Sequence, residues 1–110
     1  MEIKVTSKNY KREIAGSSVP VVIEFYTTGS SGCRMLDPVI SEIAEDFDGT
    51  VKLCKVNMDK DPDIAEEYNA TEAPMLVRVE NGDIVSWLES GDIICGSSVN
   101  EAEVRGIFEI

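Results

Sequence analysis

Val19-Pro20-Val21-Val22-Ile23-Glu24-Phe25-Tyr26 is an apolar run with one carboxylate in it, and it leads through Thr27-Thr28 into Gly29-Ser30-Ser31-Gly32-Cys33. Residues 20–26 are rich in β-branched and aromatic side chains and apolar on both faces apart from Glu24. That is the pattern of a strand in the middle of a sheet covered on both sides. Residues 33–47 then read as a helix, because Met35, Leu36, Val39, Ile40, Ile43, Ala44 and Phe47 recur with the helical period and Asp48-Gly49 ends the run. Pro38 falls inside that period, so a kink about one turn in is expected.

Working outward, the elements alternate. Residues 2–5 form a short strand, and Thr6 or Ser7 is placed to N-cap a helix that runs to Ile14 and stops at Gly16. Residues 51–58 read as a second central strand, and residues 62–68 as a short helix with Asp61 as N-cap and Pro62 in its first turn. Residues 75–80 and 84–88 are strands joined by Asn81-Gly82, a strong hairpin signal. A last helix spans residues 100–108, begun by Ser98 or Asn100. The order β-α-β-α-β-α-β-β-α demands parallel pairing through the crossover helices and antiparallel pairing at the hairpin. The fold class is therefore α/β, a mixed central sheet with helices on both faces.

At 110 residues the chain is expected to form a single domain, residues 1–110, with no internal repeat or linker. Neither terminus resembles a signal peptide and no apolar run reaches membrane-spanning length, so cytoplasmic residence and no membrane partner are the expectation. A net charge of −11 without a Lys/Arg cluster argues against nucleic acid. Three widely spaced cysteines, Cys33, Cys54 and Cys95, fit neither a secreted disulfide framework nor paired zinc ligands. The absence of histidine excludes Ser-His and Cys-His nucleophile pairs and His-ligated metal.

Residues 21–26 leading to Cys33-Arg34-Met35-Leu36-Asp37-Pro38 resemble the core strand, active-site loop and kinked helix of the thioredoxin family, in register. Lys55-Val56-Asn57-Met58-Asp59 is similar to that family's third strand, Ala73-Pro74-Met75 to its cis-proline loop and Asn81-Gly82-Asp83 to its hairpin. The matches cover most of the chain from about Val5 onward. The resemblance implies the thioredoxin fold and a thiol–disulfide oxidoreductase that reduces protein disulfides. It also implies recycling by thioredoxin reductase, no cofactor and a monomer.

The departures bear on activity. The family's first cysteine falls on Ser30, its preceding tryptophan on Gly29 and its Gly-Pro on Ser31-Gly32, so C-x-x-C reads here as S-x-x-C. Disulfide exchange needs a thiolate at the helix N-terminus, and a serine hydroxyl is too weak an acid and forms no mixed disulfide. Three readings of Ser30 stand: a deliberate Cys→Ser replacement in an active parent, a natural single-cysteine relative, or a loop serine without history. The first is favoured because serine is near-isosteric and its surroundings are those of a working site. The chain as written is then redox-inactive. A naturally redox-silent binding module is the alternative, and a monothiol glutathione-dependent protein fits less well because such proteins keep the first cysteine.

The resemblance makes Cys33 the resolving thiol, Glu24 its buried proton acceptor and Lys55 the charge partner of Glu24. Gly29, Ser31, Gly32, Ala73 and Pro74 become the substrate-binding surface, with the Ala73-Pro74 bond cis. From the residues alone, Glu24 is a carboxyl buried in an apolar layer or one that reaches solvent at a strand edge. Cys54 reads as core packing and Cys95 as an exposed loop thiol. Trp87 is expected to pack on the hairpin, Tyr26 to be the aromatic nearest the site, and residues 91–96 to form an insertion-like loop.

Overall fold

The computed structural model describes residues 2–109. Five strands, β1 (Glu2–Val5), β2 (Val21–Tyr26), β3 (Lys52–Asn57), β4 (Met75–Glu80) and β5 (Asp83–Leu88), form one sheet in the order β1-β3-β2-β4-β5. β1, β3 and β2 run parallel, and β4 and β5 are antiparallel to their neighbours. The central position of β2 is the one its two-sided apolar pattern requires, and Val21 to Phe25 are all buried.

Alternation along β2 divides the core in two. Val21, Ile23 and Phe25 pack with Cys54, Val56, Met75, Val77 and Val79 against Ile14, Ile64 and Tyr68. Val22 joins Leu53 and Leu76 on the opposite face, under Leu36, Ile40 and Ile43 of α1 (Ser31–Asp46) and Val104, Ile107 and Phe108 of α4 (Glu101–Glu109). Each such side chain contributes about 1.5–3 kcal/mol by leaving water, so both faces are needed to hold β2. Glu24 lies on the α1 face, two residues from Val22.

Several boundaries differ from the sequence expectation. Residues 6–10 form turns, and the helix that follows is a single π-helical turn, Lys11–Ala15, closed by Gly16 N–H on Lys11 O at 2.7 Å. Short polar side chains take the local backbone groups instead: Thr6 Oγ1 accepts from Lys8 N and Asn9 Oδ1 from Thr6 N. α1 starts at Ser31, two residues earlier than expected, and continues through Pro38. α2 (Pro62–Glu67) has Asp61 at its N-cap, but the Asp61 carboxylate accepts the N–H of Ser7, 54 residues away, and caps nothing in its own helix. The stretch expected as a loop after β5 is ordered as a short helix α3 (Ser90–Ile93) and two paired strands, β6 (Ile94–Cys95) and β7 (Ser98–Val99). α4 is capped by Asn100, whose Oδ1 accepts from Glu103 N at 3.3 Å.

Trp87 does not pack into the hairpin: it is 56% exposed on the edge strand, beside a cavity of about 250 Å³ lined by Tyr68, Met75 and Ile84. β5 has neighbours on one side only, which leaves a large side chain uncovered. Between Arg78↔Ser86 and Val79↔Ile84 the register shifts, leaving Val85 as a bulge that blunts this sheet edge.

Candidate functional site

β2 ends at Tyr26, the chain turns through Gly29 with φ +88°, and α1 begins. A positive φ is tolerated there because glycine has no Cβ to clash. Ser30 follows in extended conformation, and its Oγ accepts the backbone N–H of Cys33 at 3.3 Å. A serine at this position satisfies one of the free N–H groups of the first turn, which moves the start of α1 forward to Ser31. Cys33 is buried at 5% exposure, whereas Ser31 is exposed and Gly32 half-buried.

The loop before β4 closes over this turn. The Ala73-Pro74 bond is cis. A Cβ built on Gly32 would stand 3.1 Å from Pro74 Cδ and 3.5 Å from Ile94 Cγ1, so only glycine fits between the proline ring and β6 without displacement. Ser90 fixes the loop from the other side, its hydroxyl donating to Pro74 O at 2.6 Å and its N–H to Glu72 Oε2 at 3.2 Å. Gly29, Ser30, Ser31, Gly32 and Cys33 thus share one end of the sheet with Ala73 and Pro74, and Tyr26 is half-buried at the same end.

Glu24 is fully buried, and neither carboxyl oxygen accepts a hydrogen bond from an N–H or hydroxyl donor among the described residues. Register places it between Lys55 on β3 and Leu76 on β4. The Lys55 ammonium is 3.7 Å from Glu24 Oε1. The Glu24 carboxyl is pushed up to about 8, first by burial and then by the charge and the carboxyl hydrogen bond of Asp37 and the charge of Glu2, against the opposing pull of Lys55. Burial works against the charge on Lys55, yet Glu24, Asp37 and Glu2 outweigh it and hold the ammonium above the usual lysine range.

Cys54 is fully buried in β3, where burial pushes its thiol up to about 12, and Cys95 is exposed on β6. Two residues with structural roles at the site carried no usable signal in the sequence. Ser90 is one of many serines, and its partner Pro74 lies 16 residues away. In the sequence Asp37 stands out only as part of the stretch Cys33–Pro38, and its bond to Lys55 Nζ at 3.1 Å depends on the sheet order. Arg78 supports the second core layer: buried in β4, it donates from Nη1 to Ile107 O and Phe108 O, each at 2.9 Å, and so caps the C-terminal turn of α4.

The family model described as Thioredoxin matches residues 1–93, ending where α3 gives way to β6. The thioredoxin of Rickettsia bellii is 36% identical over 83 residues, 76% of this chain and 79% of that one. Thioredoxin 1 of a Nostoc species is 37% identical over 85 residues, 77% of this chain and 79% of that one. Thioredoxin M5, chloroplastic, of Oryza sativa subsp. japonica is 40% identical over 76 residues, 69% of this chain and 44% of that one. A fold with a mixed five-stranded sheet, a cis-proline loop and a cysteine in the first turn of α1 agrees with these matches. The chain belongs to the thioredoxin family and has the thioredoxin fold. Among the described residues no helix is long and apolar enough to cross a membrane.

Proposed function

We propose that this chain is a thioredoxin-type thiol–disulfide oxidoreductase acting on protein disulfides, held without turnover by Ser30. The observation that carries this reading is the place of Cys33, buried in the first turn of α1 at the end of the sheet closed by cis-Pro74. In the complete reaction a cysteine at position 30 attacks the substrate disulfide, forming one S–S bond and releasing one substrate thiol. Cys33 then attacks that mixed disulfide, releases the second thiol and leaves a 30–33 disulfide for a thioredoxin reductase to reduce. Glu24 accepts the Cys33 proton in that second step, with Lys55 as its charge partner. Gly29, Ser31, Gly32, Ala73 and Pro74 form the surface for an extended substrate segment, the backbone of Ala73 pairing with it as an added strand.

With serine at position 30 the first step has no nucleophile. The chain acts as a Cys→Ser form of an active parent, a monomer that works in the cytoplasm without a cofactor. A redox-silent binding module is the second reading, favoured by the intact cap that Ser30 gives to α1. Insulin-disulfide reduction with dithiothreitol separates the readings. The chain as it stands gives no turnover and Ser30→Cys restores it. Turnover by the Ser30 chain overturns the assignment of roles, and a well-folded Ser30→Cys chain that stays inactive favours the binding module.

A further inference from the structure

Lys55 is shared by three carboxylates and stands farthest from the buried one. Its Nζ is 3.1 Å from Asp37 Oδ1, 3.3 Å from Glu2 Oε1 and 3.7 Å from Glu24 Oε1. The Asp37 contact is a hydrogen bond, whereas the Glu24 oxygens accept none among the described residues. Glu2 is itself held in place by Ser41, whose Oγ donates to Glu2 Oε1 at 2.5 Å.

A lysine next to a buried carboxyl on the neighbouring strand has a flexible four-carbon stem and is free to turn inward and close a hydrogen-bonded pair. The two outer carboxylates oppose that turn. Asp37 is 53% exposed and Glu2 38%, so both carboxylates reach water, and the ammonium keeps part of its hydration by staying with them. Among the described residues the charged groups that act most strongly on Glu24 are Lys55 from β3, Asp37 from α1 and Glu2 from β1, while β4 presents apolar Leu76.

We propose that Asp37 and Glu2 are positioning residues that hold the Lys55 ammonium outward, so that Glu24 keeps an open carboxyl able to exchange a proton in place of a closed ion pair. A closed pair would fix Glu24 as a carboxylate and make it a weak base, whereas an open one leaves it poised near working pH. This inference rests on reading Glu24 as the proton acceptor for Cys33.

The test is a carboxyl-carbon NMR titration of Glu24 in the chain as it stands and in Asp37→Asn, Glu2→Gln and the double variant. The Glu24 midpoint is expected to move down by about one pH unit in Asp37→Asn and further in the double variant. Glu42→Gln, which removes an exposed carboxylate from the same helix, is expected to leave it in place. In a Lys55→Met background the Asp37→Asn shift shrinks to what the direct repulsion and carboxyl contact between Asp37 and Glu24 contribute, because the part that Asp37 exerts through the lysine is gone. A midpoint that Asp37→Asn moves no more than Glu42→Gln does overturns the proposal, as does an equal Asp37→Asn shift with and without Lys55. Should Lys55→Met not fold, the comparison with Glu42→Gln decides. None of these readouts uses turnover, so failure here leaves the Ser30→Cys assay unaffected, and failure of that assay leaves the titration intact.

Discussion

The Ser30 hydroxyl oxygen accepts the backbone N–H of Cys33, so the side chain at the position of the expected nucleophile is bonded to the residue expected to resolve its disulfide. The bond makes Ser30 the N-cap of α1 and couples the site to the stability of its longest helix. Ser30→Ala removes the acceptor and is expected to lower the unfolding free energy by about 1 kcal/mol, and Ser30→Gly by a few tenths. Urea denaturation measures both. An unchanged midpoint in Ser30→Ala would show that the cap contributes nothing and that the start of α1 is set by packing alone.

Glu24 gives the fold a pH dependence whose sign follows from its raised pKa. Below its ordinary value of 4.5 the carboxyl is protonated folded or unfolded; between there and about 8 only the unfolded chain ionises. The contribution of Glu24 to stability is thus complete at the acid end and is lost as pH rises through about 8, with a slope on the order of 1 kcal/mol per pH unit. Glu24→Gln removes that slope, so its midpoint in urea should equal or exceed that of the parent near pH 8 and lose the advantage near pH 5. Parallel curves for the two proteins across this range would place an ionised Glu24 in the folded state. In the Ser30→Cys background the same substitution is expected to slow disulfide exchange, since the resolving thiol loses its acceptor.

The three thiols differ in access. Cys33 is 5% exposed, Cys54 is fully buried and Cys95 lies on the surface. Ellman's reagent is therefore expected to titrate one thiol per native chain rapidly and all three after denaturation. Cys95→Ser should abolish the rapid phase. A fast phase that survives in that variant would mean that the turn at Gly32 opens readily enough to present Cys33.

The central place of β2 and the antiparallel hairpin were legible because β2 is apolar on both faces and because Asn81 and Gly82, with φ of +53° and +84°, form the hairpin turn their types favour. Elements built from few residues escaped the pattern: α3, β6 and β7 are too short to show a period. Trp87 was misplaced for a different reason. Its cross-strand partner Val77 is buried, but β5 is the last strand, so burial of one member of the pair says nothing about the other. Ser30, Cys33, Glu24 and Pro74 are singled out by the family resemblance more than by periodicity. Asp37 and Glu2 were not, because Lys55 joins them only after β3 has been inserted between β1 and β2.

Two helical glycines separate packing at the site from backbone propensity. Gly106, inside α4, has nothing within 4 Å of the place a Cβ would occupy, so Gly106→Ala is expected to raise stability by about 0.5–1 kcal/mol. Gly32 gains the same propensity in α1, but its Cβ would meet Pro74 Cδ at 3.1 Å and Ile94 Cγ1 at 3.5 Å. The proline ring, tied through its carbonyl to Ser90, has to yield by a few tenths of an ångström, which offsets the gain and tilts the surface on which a substrate segment would lie. In the Ser30→Cys background Gly32→Ala is expected to cut insulin reduction several-fold at little net change in stability, whereas Gly106→Ala leaves turnover as it was. Equal stabilisation by both substitutions, with turnover intact in both, would mean that the contact between α1 and Pro74 is loose and that close packing of the loop has no part in the reaction.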